Sequence, residues 1–526
     1  MRSRSVLAQT AIVWLALVCL AQQPPPSKDD NQPGQENPVV TFQSATRLVM
    51  LDVVVTDRQG KPVRNLSRDD FTVLEDGAEQ TIASFEPPDQ HAPAPVEGVG
   101  QPDMAPKSTN AVPALTSSAL TILVVDELDT KVMDQAYARA EVQKFLAAHG
   151  PHLSEPTALM ALENKQLELL HDYTSDANVL SDALHRHRPE LPFRLLSGEG
   201  LTGASERLAS ALEALREIAA ANSHFGGRKN VIWIGPGFPS LNYLRAQPSD
   251  KAKLLGYVRE TSNLMWQGRL AVYTVDPRGL EVVHENIGAN LTDGSFFAPP
   301  EPTTADLVFE QVAPQTGGRM FHGLNDLDAQ IASSVDDGDS FYALSYYPSN
   351  RLWSGKFRRI KVATRNPGLK ARTRNGYYSV PDLPPTFKDL DRLLSRAVIN
   401  PLSYHSLTIT AHATVSGSPT RAARVTVDLD PTGLNWRQVE SNKHRCEVTV
   451  VSAGFSAKGR VVAQSVKELE VVVDEKKYAA LVKDGMVMKL AMQLPPEAVR
   501  MRVVARDSTN GNMGTADLTP EGEQFH

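Results

Sequence analysis

Between residues 120 and 335 the chain alternates short apolar β-type runs with longer stretches of helical periodicity, and that alternation leaves few folds open. The first run, Leu120-Thr121-Ile122-Leu123-Val124-Val125-Asp126, is continuous rather than alternating and ends in a carboxylate, as a parallel strand buried on both faces should. Helical spacing follows over 134–148. Residues 157–162 read as a second strand, with 166–171 as a short third one paired to it. A long Ala/Leu/Glu-rich helix spans 204–221, a strand 231–234, a helix 249–266 and a strand 270–275, and helical segments follow at 305–313 and 326–335. The expected fold class is α/β, a doubly wound, mostly parallel sheet with right-handed crossovers.

At 526 residues the chain exceeds one ordinary core, and about 150 residues per domain suggests three or four. Residues 1–21 read as a signal peptide: Arg2 and Arg4 precede an apolar run over 11–21 that is short for a bilayer span. A disordered proline-rich segment follows at 22–38. Residues 39–86 form an expected small β module, with Asp76-Gly77 as its hairpin turn. Prolines recurring with Gly, Ala and Gln mark a linker at 87–114. The α/β domain is expected at 115–380, with 339–379 as a β extension that extends or flanks its sheet. A linker at 381–399 leads to a C-terminal β-sandwich-like domain at 400–526, where apolar and polar positions alternate.

The net charge of -7 leaves no excess of cations to pair with phosphates, which argues against a dedicated nucleic-acid binder, and no nucleic-acid partner is expected. The basic run Lys356-Phe357-Arg358-Arg359-Ile360-Lys361 fits the solvated face of a strand better than a nucleic-acid patch. The two cysteines are Cys19, which offers a weaker lipoprotein reading, and Cys446, which lies in an apolar run and reads as a buried strand residue. With the signal removed, no disulfide staples the chain and no integral membrane segment remains. The expected location is extracytoplasmic: periplasm, cell surface or secreted.

One ordered set of segments carries a resemblance. It comprises Leu51-Asp52-Val53-Val54-Val55-Thr56-Asp57, Phe71-Thr72-Val73-Leu74-Glu75-Asp76-Gly77, and Val124-Val125-Asp126 with Leu128-Asp129-Thr130. Further on come Val272-Tyr273-Thr274-Val275-Asp276-Pro277-Arg278-Gly279-Leu280, Thr316-Gly317-Gly318-Arg319, Asn325-Asp326-Leu327, Tyr342-Ala343-Leu344-Ser345-Tyr346-Tyr347-Pro348 and Gly376-Tyr377-Tyr378. Across residues 40–380 the chain is similar to the exported VWFA-related family common in Acidobacteria, and its core resembles a von Willebrand factor A (VWA) domain. The resemblance implies a divalent cation at the carboxyl ends of the strands, held by Asp-x-Ser-x-Ser, a middle Thr and a later Asp. Oxygen donors of that kind suit Mg²⁺. Asp126 and Thr130 match the first element, but Leu128 replaces a hydroxyl, and Gly235 or Pro236 stands where the later carboxylate belongs. Thr202 or Ser205 is the candidate middle hydroxyl. The metal residues implied are therefore Asp126, Thr130 and Thr202, a degenerate set from which no cofactor, or at most weak Mg²⁺, is expected. Glu127, Asp129, Ser205 and Pro236 are the expected partner-binding rim, since open α/β sheets bind ligands at the carboxyl ends of their strands.

Other chemistry finds no constellation. The sequence has no Gly-x-Ser-x-Gly elbow, zinc-protease helix or phosphate loop. His185-Arg186-His187 and His149-Gly150-Pro151-His152 read as surface histidines, with no cysteine or third histidine near in sequence. Tyr342, Tyr346, Tyr347, Tyr377 and Tyr378 read as sheet packing rather than a binding platform. The expected function is an exported, non-catalytic, adhesion-type protein that binds a protein partner. An extracytoplasmic hydrolase and a structural component of an envelope or secretion assembly are the alternatives. Nothing in the sequence indicates an oligomeric state.

Overall fold

The computed structural model describes residues 47–91, 119–163, 166–189, 201–223, 226–238, 248–278, 312–322, 326–381, 387–417, 421–439 and 443–520, with backbone alone for 201–205, 248–255 and 387–390. The expected signal peptide with Cys19, the 22–38 segment, most of the 87–114 linker and the 305–311 part of an expected helix lie outside the described residues.

The protein is mixed α/β, built on a six-stranded sheet with several antiparallel sheets around it. The strand Leu120–Asp126 is central. His152–Glu163 lies on one side of it, followed by Gln166–Asp176, which runs antiparallel. Lys229–Ile234, Leu270–Val275 and Met320–Phe321 follow in parallel on the other side. In chain order the strands read 3-2-1-4-5-6, so the topology switches direction between the first strand and the fourth. Both faces are covered. Ile122, Val124, Met160, Val231, Trp233 and Val272 pack under helices Leu201–Asn222 and Pro248–Gln267. Leu123, Val125, Leu159, Ile232, Ile234 and Val275 pack against helices Val132–Ala148, Ala177–Arg186 and Leu327–Asp339. Two-sided burial is why these strands are apolar at every position. Gly318 passes so close to Val272 that a Cβ would sit 1.8 Å from its carbonyl oxygen, so only glycine lets the Met320–Phe321 strand join the sheet edge.

The flanking layers differ from expectation. The strands of 39–86 do not form a module of their own, and of the two placements expected for 339–379 it takes the flanking one, outside the central sheet. Val49–Thr56 pairs antiparallel with Phe341–Tyr346 and with Lys370–Arg372, while Ile82–Glu86 pairs on the far side of Phe341–Tyr346. Opposite that sheet, Phe71–Glu75 pairs with Ala78–Gln80 and with Phe357–Thr364, which also pairs with Gly376–Tyr378. The two four-stranded sheets enclose one core, including Leu51, Val53, Phe71, Val73, Tyr342 and Ile360. Four short strands cannot bury both faces of a sandwich alone, so the N-terminal strands close only with partners almost 300 residues away. Tyr342, Tyr346 and Tyr377 are buried as packing residues, whereas Tyr347 is exposed.

Residues 381–399 are more than a linker. Helix Phe387–Ile399 drives Leu394, Ala397 and Val398, spaced i, i+3, i+4, into the core beneath the central sheet. Beyond it, Ile409–Ser416, Arg421–Leu429 and Met486–Leu494 form one antiparallel sheet. Arg437–Val439, Lys443–Ser456, Val461–Asp474, Ala498–Asp507 and Met513–Leu518 form another. The two share an apolar core, while Val451, Phe455, Val504 and Met513 join the α/β core instead. Cys446 is buried in the strand Lys443–Ser456, where desolvation pushes its thiol up to about 12. No helix among the described residues is long and apolar enough to cross a membrane.

Candidate functional site

The carboxyl rim of the central sheet gathers the candidate residues, and Asp126 sits at its switch point. Its side chain is buried. Oδ1 accepts hydrogen bonds from the backbone amides of Leu128 at 3.1 Å and Asp129 at 2.9 Å. Oδ2 accepts one from the Trp233 indole at 3.0 Å. Desolvation pushes the carboxyl up to about 7 against these three donors. Gly235, where the resemblance expects a carboxylate, faces the same side chain: a Cβ there would lie 2.6 Å from the Asp126 Cβ. Asp126 therefore braces the loop and the neighbouring strand. Thr130 is buried, and its hydroxyl has no hydrogen-bond partner among the described residues. Thr202 and Ser205 fall in the first turns of helix Leu201–Asn222, where their side chains lie outside the described residues.

The buried Asp126 carboxyl has a pH consequence. Its folded value of about 7 lies above the ordinary 3.8, so folding favours the protonated form. That stabilisation is complete below about pH 4 and lost by about pH 7. Wild-type stability is expected to fall by up to about 4 kcal/mol relative to Asp126→Asn across that window. Urea midpoints measured for both proteins along the pH series check this, and a flat difference would refute the burial account.

Glu127, expected on the rim, instead points inward. It is 2% exposed, because the register that sets Asp126 beside Leu162 also sets Glu127 level with Glu163. Glu127 Oε1 lies 3.1 Å from Arg139 Nη1, and Oε2 lies 2.9 Å from His187 Nε2. The same His187 nitrogen is 3.3 Å from Glu163 Oε1, and Nδ1 faces Glu168 Oε2 at 3.9 Å. Arg139 also donates to the carbonyls of Leu184 and His187, which anchors the end of helix Ala177–Arg186. Burial opposes a charge on His187, but the Glu127 hydrogen bond and the surrounding carboxylates outweigh it and raise its pKa. His187 is thus no surface histidine. The sequence signal for this group was a carboxylate at the end of each of two apolar strands, Glu127 and Glu163, which local pattern could not bring together because their register depends on the fold.

On the other side of Asp126 a cleft of about 380 Å³ opens over the ends of four strands. Phe238 and Phe321 supply apolar lining, and Asp129, Asp276, Arg278 and His322 supply polar lining. Arg278 clamps Asp276, with Nε at 2.9 Å from Oδ1 and Nη2 at 2.5 Å from Oδ2. Asp129 pairs with Arg207 Nε at 2.6 Å. The buried Thr274 hydroxyl, another lining residue, has no hydrogen-bond partner among the described residues. Of the expected rim, Asp129 and Pro236 line this cleft and Glu127 does not.

No protein-family model and no curated protein matches the sequence. Among solved structures, the TFIIH p34 N-terminal domain is similar at a TM-score of 0.19 and 14% identity, over 30% of this chain and 80% of that one. The SpRpn10 VWA domain is similar at 0.16 and 14%, over 31% of this chain and 89% of that one. A beta-glucuronidase from glycoside hydrolase family 2 reaches 0.14 and 15%, over 21% of this chain and 11% of that one. Likenesses this weak carry no argument about fold or activity.

Proposed function

We propose that this chain is an exported, non-catalytic interaction protein of the VWFA-related kind, whose VWA-like layer presents the carboxyl-rim cleft to a protein partner. One observation carries the reading. The carboxylate that the resemblance assigns to a cation is engaged by Trp233 and two backbone amides, while a mixed apolar and charged cleft opens beside it. Clefts that combine an aromatic wall with a few oriented polar groups suit a protruding side chain or peptide segment. At the start of the helix that follows the rim loop, Val132 and Met133 are 54% and 84% exposed, which adds apolar surface. Export follows from the sequence signal at residues 1–21.

Affinity capture from envelope extract, run in chelator with the mature chain, tests this reading. Arg278→Glu, which places a second carboxylate against Asp276, and Met320→Asp are expected to weaken capture of a partner by roughly tenfold or more. Capture unaffected by both, or turnover of a hydrolysable substrate at the cleft, would overturn the proposal. In parallel, millimolar Mg²⁺ is expected to leave the thermal midpoint unchanged, because a cation bound only to the native state would raise it.

A further inference from the structure

We infer that Glu127, Glu163 and His187 form a binding site for one Zn²⁺-class cation, distinct from the Asp126 position and from the rim cleft. Each side chain offers one donor atom, the three donors lie within 4.8 Å of one another, and all three residues are buried. The spacing fits a small tetrahedral ion. With metal–ligand bonds of about 2.0–2.2 Å, ligands stand about 3.3 Å apart. His187 Nε2 is already 2.9 Å from Glu127 and 3.3 Å from Glu163, close to that spacing, and the three donors together fall within 4.8 Å.

The surroundings orient these donors. Arg139 holds Oε1 of Glu127, which leaves Oε2 for the centre. Glu168 faces Nδ1 of His187, the position from which a carboxylate orients an imidazole that ligates through its other nitrogen. One imidazole and two carboxylates suit Zn²⁺, whereas Mg²⁺ prefers an all-oxygen octahedron with several waters. The ligands come from the end of one strand, the end of its neighbour and the residue after helix Ala177–Arg186. The ion would therefore clamp three elements at the rim, with water completing its coordination.

The test uses the chelator-stripped full chain titrated with Zn²⁺ alone, by calorimetry and by competition with a chromophoric chelator. One ion per chain is expected to bind with a dissociation constant near or below roughly 1 µM, unaffected by Mg²⁺. His187→Gln and Glu163→Gln are each expected to weaken binding by about 100-fold, and Glu168→Gln by about tenfold. Co²⁺ should show tetrahedral visible bands that both ligand variants abolish. Near-UV circular dichroism without metal checks folding, and if His187→Gln fails to fold, Glu163→Gln decides. No saturation below roughly 100 µM Zn²⁺, or affinity unchanged in a folded Glu163→Gln, overturns the site and leaves the group as a buried ion pair. Partner capture is measured in chelator, so the two proposals fail independently.

Discussion

Replacing Arg358 by Ala is expected to destabilise the N-terminal sandwich by about 3–5 kcal/mol, because it strands a buried carboxylate. Arg358 and Glu75 are 3% and 2% exposed, with Nη1 and Oε1 at 3.0 Å. The other Glu75 oxygen accepts hydrogen bonds from the hydroxyls of Tyr346 at 2.6 Å and Tyr377 at 2.9 Å. Arg358 also donates to the carbonyls of Asn350 and Leu352, each at 2.7 Å. These contacts join both sheets of the sandwich to the loop at 350–352. Truncation leaves Glu75 with two hydroxyl donors and no cation, while two carbonyls lose their donor. For a protein of 526 residues the loss amounts to a fall of about 3–5 °C in the melting midpoint. The double variant Glu75→Gln/Arg358→Met should recover more than half of it, since an apolar or neutral pair removes the unpaired charge. A loss under about 1 kcal/mol in the single variant would show that the pair is not the keystone described.

The second large effect lies under the rim. Trp233→Ala is expected to cost about 5 kcal/mol. Trp233 is fully buried in the central sheet, and removing a large aromatic side chain there costs about 3–5 kcal/mol through the cavity left behind. Its indole also donates to Asp126 Oδ2, so the carboxylate loses a donor as well, which adds about 1–3 kcal/mol. Trp233→Phe separates the two contributions: it keeps most of the volume and should cost only the hydrogen-bond part. Phe238 packs on Trp233 with ring centroids 5.1 Å apart and lines the cleft, so partner capture should fall together with stability in Trp233→Ala. Chemical denaturation of both variants, read beside the capture assay, checks this. Equal losses for Phe and Ala would place the whole effect in the hydrogen bond.

The site was legible in part. The strand-end Asp126, the glycine-proline pair after the fourth strand and the rim position of Asp129 were all visible as local pattern. Their roles were not. Gly235 reads in sequence as a missing carboxylate, but in space it is the residue that leaves room for Asp126. Glu127 and His187 read as exposed because each is followed or preceded by polar residues. They are 60 positions apart, and only the strand register and the course of helix Ala177–Arg186 bring them to 2.9 Å.

What the sequence determined by itself is whatever depends on neighbours within a few residues: fully apolar strands alternating with helices, a hairpin at Asp76-Gly77, and a buried Cys446 among alternating apolar positions. Periodicity reports how many faces an element buries, and that sufficed for a two-sided central sheet. Only tertiary structure decided that Val49–Thr56 closes on Phe341–Tyr346, that Phe387–Ile399 is a core helix, and that Glu127, Glu163 and His187 converge. Pairing between distant strands is selected by the total core they can bury together, a sum over the whole chain that no local window contains.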